Sequence, residues 1–395
     1  MSALVVAVLL LSWHLLMPSS FHDGYWFWRI DYIKRLENIT ATVALHELNA
    51  PFIQRPFMTF IIKSLEHSFS IWYAYVIAVG LSFFVASFCL LLACKHLNNN
   101  YDNENISSWW HLACFALSYT ILFAYFVPIY TYDDLWQYAF LLLAVSSYRN
   151  TPLRCALWLC IAVIARETTV LTLPSFAIAI LLQDERLNRK NFYGAVIAVI
   201  IPALFFIGLK YFLPYPDMKG RDKHYLLNFA NAASTFESFT SMVWTLGPFI
   251  VLGILVWMAN RKIIRSQRNL IIAALITLII NTPIVLIATK AREARLFALP
   301  LVFIWPIAGA WLKVAAKCVH DNFMRLQKKQ RITIIGIGVL IAIAVALLLG
   351  AALRGMLGYH DGFRIYAALF FGTSFVAYRL LRMPTADSIK TNKMN

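Results

Sequence analysis

Apolar runs of about bilayer-spanning length recur from one end of this chain to the other, and they leave few folds open to it. A hydrocarbon core of about 30 Å takes about 20 apolar residues as a helix. The runs begin at residue 2 and return with polar breaks as far as residue 381. Of the 395 residues, 61% are hydrophobic and 14% charged. A soluble domain carries about 45–50% and about 25%. Because the excess is spread along the whole chain, it is not one large core, and the sequence predicts an all-α, polytopic membrane protein.

The candidate spans are 2–20, 70–93, 108–130, 134–148, 152–166, 168–183, 192–213, 240–259, 269–289, 295–315, 332–353 and 364–381, about twelve in all. The fourth, fifth and sixth are short. At 1.5 Å per residue their apolar cores cover about 20 Å, so they are tilted, or two of them form a re-entrant hairpin and the count falls to eleven or ten. The first run has no basic leader and no A-x-A-like cleavage site, so it reads as a retained helix. One transmembrane domain over 1–383 is expected, with a polar cytoplasmic tail over 384–395.

Lysine and arginine set the expected orientation. With the N-terminus inside, the cytoplasmic segments hold 20 of the 35 basic residues and six of the 19 acids. That is the positive-inside bias. It accounts for most of the net charge of +16 without a nucleic-acid partner. Both termini are then cytoplasmic. The six cysteines fall in apolar segments or cytoplasmic loops and show no C-x-x-C spacing, so neither a disulfide nor a zinc site is expected.

Two outer segments are long. Residues 21–69 contain two amphipathic stretches. Ile30, Ile33 and Leu36 recur at helical spacing in the first, and Phe57, Phe60, Ile61 and Leu65 in the second. Both read as helices lying in the membrane interface. Residues 214–239 read as a second outer loop, a lid or capping segment.

Thirteen of the acids lie on the outer side, mostly at helix ends. Asp23 follows the first span within Phe21–Arg29, beside His22 and a run of aromatics. It is either an interfacial carboxylate within an aromatic belt or a general base, since a carboxylate near apolar rings has a raised pKa and can accept a hydroxyl proton. Lys290, Arg292 and Arg295, with Glu293 among them, place three cations within six residues. Guanidinium forks bind phosphate oxygens bidentately, so this segment reads as a phosphate site rather than a solvated loop. Asp133 and Asp134 form a carboxylate pair suited to Mg2+ or Mn2+, or they cap the helix that follows. Arg166 and Glu167 read as an internal ion pair at a helix junction, or as groups that orient Asp23 or the phosphate. Arg55 precedes Pro56, which suits the first position of a helix, and it reads as a residue facing a headgroup or a substrate. His360-Asp361 with Arg364 forms a further outer constellation.

This pattern resembles the GT-C superfamily of polytopic membrane glycosyltransferases. The resemblance lies in His22-Asp23-Gly24-Tyr25 after the first span, the two interfacial stretches with Arg55-Pro56, Arg166-Glu167 at an outer junction, and the basic segment from Lys290 to Arg295. It covers roughly residues 1–310. It implies a polyprenyl-phosphate-linked sugar as donor, a glycan, lipid or protein as acceptor, and an active site on the periplasmic side of a bacterial inner membrane. Asp23 would be the catalytic base. His22, Arg55, Arg166, Glu167, Lys290, Arg292, Glu293 and Arg295 would bind substrate, and the family's variable acidic pair would fall on Asp133 and Asp134. The leaving phosphate would be stabilised by cations, with no cofactor required. Direct displacement would invert the anomeric centre. A twelve-helix transporter, an O-antigen polymerase-like enzyme and a non-enzymatic scaffold are the competing readings.

Overall fold

A computed structural model describes residues 1–16, 32–48, 55–98, 108–123, 125, 132–183, 188–212, 226–230, 232–288, 294–352 and 361–382. These residues form helices and short connections, with no strand among them. In order the helices are α1 (Ser2–Leu16), α2 (Tyr32–Leu48), α3 (Pro56–Glu66), α4 (Ile71–Asn98), α5 (Ser108–Ala116), α6 (Tyr119–Phe123), α7 (Asp134–Ser147), α8 (Pro152–Ala165), α9 (Leu173–Leu181), α10 (Arg189–Phe212), α11 (Ala232–Ala259), α12 (Arg261–Ser266), α13 (Arg268–Ala288), α14 (Leu301–Arg325), α15 (Lys328–Ala352) and α16 (Asp361–Leu381). Short 3-10 turns span Glu167–Thr172, Leu227–Phe229 and Ala294–Phe297.

Among the described residues, six helices are long and apolar enough to cross a membrane by length and composition: α4, α10, α11, α13, α14 and α15. The protein is therefore a multi-pass, all-α membrane protein. The other expected spans are shorter or more polar. Helices α7 and α8 have 14 residues each and α9 has nine, in keeping with the short fourth to sixth runs of the sequence. The run expected as one helix over 108–130 divides into α5 and α6. The Ser118 hydroxyl donates to the Phe115 carbonyl, and such a local bond competes with continuation of the helix.

The chain falls into two compact units. Among the described residues, the first runs from the start of α1 to Leu246 and resumes over Gln267–Gly309, and the second comprises Gly247–Ser266 and the helices from Ala310 onward. Within the first, α7 and α8 are central. Helix α7 packs against α4 and α8, α8 against α10, and α1 against α4. Fourteen side chains beginning with Tyr132 and ending with Ser147 are buried along α7 and its entry, which marks it as the core helix. Helices α2 and α3 pack on α4. On α2 the inward positions are Ile39, Thr42, Val43 and His46, spaced as one helical face. On α3 they are Met58, Thr59 and Ile62, whereas Phe60 is exposed. The apolar face expected on Phe57, Phe60, Ile61 and Leu65 is thus rotated. Helix α7 is the cause: Trp136 donates its indole N–H to Met58 Sδ and packs edge-on against Phe57.

A close helix approach also shapes this unit. Gly309 of α14 lies against His111 of α5, where an added Cβ would come within 2.5 Å of the imidazole and 2.6 Å of the His111 backbone nitrogen. In the second unit, α15 and α16 form an antiparallel pair. There a Cβ on Gly372 would stand 2.8 Å from the Gly338 carbonyl oxygen. Most of α15 otherwise remains exposed, including Ile335, Leu340, Leu347 and Leu348. A fully apolar exposed helix is what a lipid environment requires.

Candidate active site

Four segments far apart in sequence meet inside the first unit, and each brings charge. Arg55 stands immediately before α3, with Pro56 in the first turn. Asp133 and Asp134 open α7. Arg166 and Glu167 join α8 to the 3-10 turn that follows. Arg295 lies in the turn that precedes α14. Asp133, Asp134, Arg55, Arg166 and Arg295 are all buried.

The pairing differs from what adjacency in sequence suggests. Arg166 and Glu167 are neighbours but serve different partners. Arg166 contacts Asp134, whereas Glu167 accepts two hydrogen bonds from Arg55, from Nε at 2.7 Å and from Nη2 at 2.5 Å. The backbone explains this. Arg166 leaves α8 in an extended conformation, with φ −161° and ψ 129°, and successive side chains of an extended segment point in opposite directions. Arg295 brings its Nε to 3.3 Å from the second oxygen of Asp134, so one carboxylate holds two guanidiniums in place.

Asp133 occupies the cap position of α7, but its side chain makes no capping hydrogen bond. Its φ of −81° and ψ of −17° are helical, and a capping side chain needs the extended region to reach back to the free N–H groups. The carboxylate instead faces His46 of α2, whose Nδ1 is 3.7 Å away. The His46 ring stacks on Tyr132 at 4.1 Å, and the Tyr132 hydroxyl is 3.0 Å from that of Thr59. Asp133 lies just before α7 and outside the candidate spans. Burial lifts its pKa to about 7, against the opposing pull of Arg55, Arg166 and Arg295.

Neutral hydrogen bonds fix the frame around these charges. Gln137 donates to the hydroxyls of Thr168 and Thr169, each at 3.0 Å, and ties α7 to the Arg166–Glu167 junction. Tyr138 donates to the Arg295 carbonyl at 2.7 Å. Asn281 of α13 donates to the Leu296 carbonyl at 2.8 Å. The turn carrying Arg295 is therefore held from two sides.

No family model, curated protein or solved structure matches this chain. The functional reading therefore rests on the residues themselves.

Of the residues singled out in the sequence, the structure brings Arg55, Asp133, Asp134, Arg166, Glu167 and Arg295 into one cluster. His22, Asp23, Lys290, Arg292 and Glu293 lie outside the described residues, as does His360. Arg364 belongs to the second unit, where it donates to the Ala346 carbonyl of α15 at 3.3 Å. Sequence reasoning missed His46, Thr59, Gln137 and Tyr138. His46 carried a signal, since it continues the spacing of Ile39 and Val43 on the inward face of α2.

The two adjacent aspartates face different partners. Asp134 is engaged by two guanidiniums, and Asp133 faces an imidazole. Among the described residues no group of three or more His, Cys, Asp or Glu side chains gathers as a metal site. The cluster gathers three guanidiniums beside carboxylates. Each guanidinium presents five N–H donors in a planar fork, and a low-dielectric setting strengthens every bond it makes.

Proposed function

We propose that this protein is a membrane glycosyltransferase that moves a sugar from a polyprenyl-phosphate donor to an acceptor at the outer face of a bacterial inner membrane. The observation that carries this reading is the buried convergence of Arg55, Arg166 and Arg295, each held by a carboxylate. Three preoriented guanidiniums suit a phosphate that gains charge as its sugar departs, because donors fixed in advance need no reorganisation at the moment of reaction. In sequence, Lys290 and Arg292 stand just ahead of Arg295 and add to the same cationic segment.

In the proposed reaction Asp23 takes the proton of an acceptor hydroxyl. The hydroxyl oxygen attacks the anomeric carbon, the bond to the phosphate oxygen breaks, and the configuration inverts. Arginine neutralises the leaving phosphate, and no step is routed through a metal. The charges of the cluster stand at helix ends, at the entry to α3 and α7, at the exit of α8 and in the turn ahead of α14.

The test is transfer of a labelled sugar from polyprenyl phosphate by membranes containing the protein, alongside mass spectrometry of lipid-linked and envelope glycans with and without the gene. Asp23→Asn is expected to abolish transfer while leaving expression and the unfolding midpoint unchanged. A fully active Asp23→Asn protein would remove Asp23 from the mechanism, and identical glycans with and without the gene would remove the enzyme reading.

A further inference from the structure

The three carboxylates of the cluster are not equivalent. Asp134 and Glu167 each hold guanidinium nitrogens. Asp133 has no exposed surface, and neither of its oxygens has a hydrogen-bond partner among the described residues. A buried carboxylate without donors is the anion that a protein interior tolerates least. Every packed element contributes to its surroundings. Helix α2 brings His46, with Glu47 next in the chain. The entry to α3 brings Arg55, and α4 brings Tyr75, which meets Tyr132 edge-on. The α8 junction brings Arg166 and Glu167, the 294–297 turn brings Arg295, and Tyr132 and Asp134 flank Asp133 in the chain.

The charge of this set is decisive. Among the described groups, with Asp133 ionised and His46 neutral, three guanidiniums face three carboxylates and the set carries no net charge. With Asp133 protonated, the same set carries one net positive charge. The ester joining a sugar to a polyprenyl phosphate is a phosphodiester, which carries one negative charge across the neutral range.

We infer that the phosphodiester of the donor binds together with one proton, taken from water by Asp133, so that the buried cluster stays electrically balanced when the donor arrives. The inference rests on the proposed function for the identity of the ligand and on the geometry of the cluster for everything else. The burial of Asp133, which brings its proton affinity to the neutral range, places this exchange where a cell envelope operates. His46, at 3.7 Å, is the competing proton site.

The experiment uses the full chain in nanodiscs of zwitterionic lipid and methyl farnesyl phosphate, a diester whose single charge does not titrate in the range examined. Dissociation constants are measured from about pH 5 to about pH 9. Below the Asp133 pKa of about 7 affinity should be constant, and above it the dissociation constant should rise about tenfold per pH unit, the slope for one linked proton. Calorimetry at about pH 8 in two buffers of different ionisation enthalpy should register about one proton taken up per diester bound. Asp133→Asn should bind the diester with the same affinity at every pH and take up no proton. Binding by the wild type that is independent of pH and releases or takes up no proton would overturn the inference. So would a slope kept by Asp133→Asn and lost by His46→Gln. If Asp133→Asn does not fold, the wild-type calorimetry decides alone. If the wild type binds no diester at any pH, the proposed function falls and the inference falls with it, a result distinct from binding that ignores pH.

Discussion

Asp134→Asn is the substitution that most directly tests the charge cluster. It keeps the size of the side chain but removes the one carboxylate that holds both Arg166 and Arg295. Removing one partner of a buried ion pair costs about 3–5 kcal/mol, because the remaining charge is left uncompensated. Two guanidiniums lose their partner here, which points to the upper end. The amide oxygen of asparagine still accepts one charge-assisted hydrogen bond, which returns about 1.5–3 kcal/mol. The net loss is then about 3 kcal/mol. At about 2 °C per kcal/mol, the lower figure for larger domains, the unfolding midpoint should fall by about 6 °C. Tryptophan fluorescence of the purified protein in detergent reads this well, since Trp136 lies on α7 and packs against Phe57. Adding Arg295→Gln removes one of the stranded cations. The double variant should therefore be less destabilised than the sum of the two single ones, by about 1–2 kcal/mol. A midpoint shift for Asp134→Asn below about 1 °C, or single effects that add within about 0.5 kcal/mol, would refute the pairing on which the site is built.

Other outcomes are expected. Gly309→Ala should cost about 1–3 kcal/mol of stability, since its methyl group meets the His111 ring and backbone at 2.5–2.6 Å; an unchanged unfolding midpoint would contradict that close approach. The pKa of Asp133 is raised by burial from 3.8 to about 7, so between those values the folded protein keeps a proton that the unfolded chain has lost. Stability from this group is complete below the lower value, falls as pH rises through the window and is level above the upper one. Asp133→Asn should flatten that part of the midpoint-against-pH curve, and a wild-type midpoint that rises across the window while the variant stays flat would contradict the assignment. Replacing Arg292 and Arg295 together by Gln should weaken binding of the donor lipid by about tenfold or more, the order expected for lost charge-assisted bonds; an unchanged dissociation constant would take both out of the phosphate site.

Much of this architecture is legible in the sequence because lipid acts locally. A run of apolar residues reports its surroundings without reference to any other segment, so α4, α10, α13 and α15 are visible as runs. The short helices α7, α8 and α9 were also readable from their lengths. The division of 108–130 into α5 and α6 was not, because it turns on one hydroxyl, that of Ser118. For the site, the uneven placement of acids and the Lys290–Arg295 segment directed attention to Arg55, Asp133, Asp134, Arg166, Glu167 and Arg295 one by one. What they pair with depends on tertiary approach over more than a hundred residues, as between Arg55 and Glu167, and no local pattern encodes it. Adjacency in sequence also suggests that Asp133 and Asp134 share partners, whereas Asp134 meets two guanidiniums and Asp133 faces an imidazole. The backbone at Arg166 shows how readily neighbours divide instead.

That extended step at Arg166 makes the order of two letters as consequential as their presence. Exchanging them, as Arg166→Glu with Glu167→Arg, preserves composition, net charge and hydropathy, and no measure of bulk character would distinguish the two proteins. Yet parity along the extended step would turn a carboxylate toward Asp134 and a guanidinium toward Arg55, replacing two attractions with two repulsions at a largely buried junction. The exchanged chain should fail to accumulate in membranes at the wild-type level, whereas equal accumulation would mean that the junction can rotate. At this point the protein is sensitive to sequence in the strict sense of succession, as a lock is sensitive to the order of its tumblers.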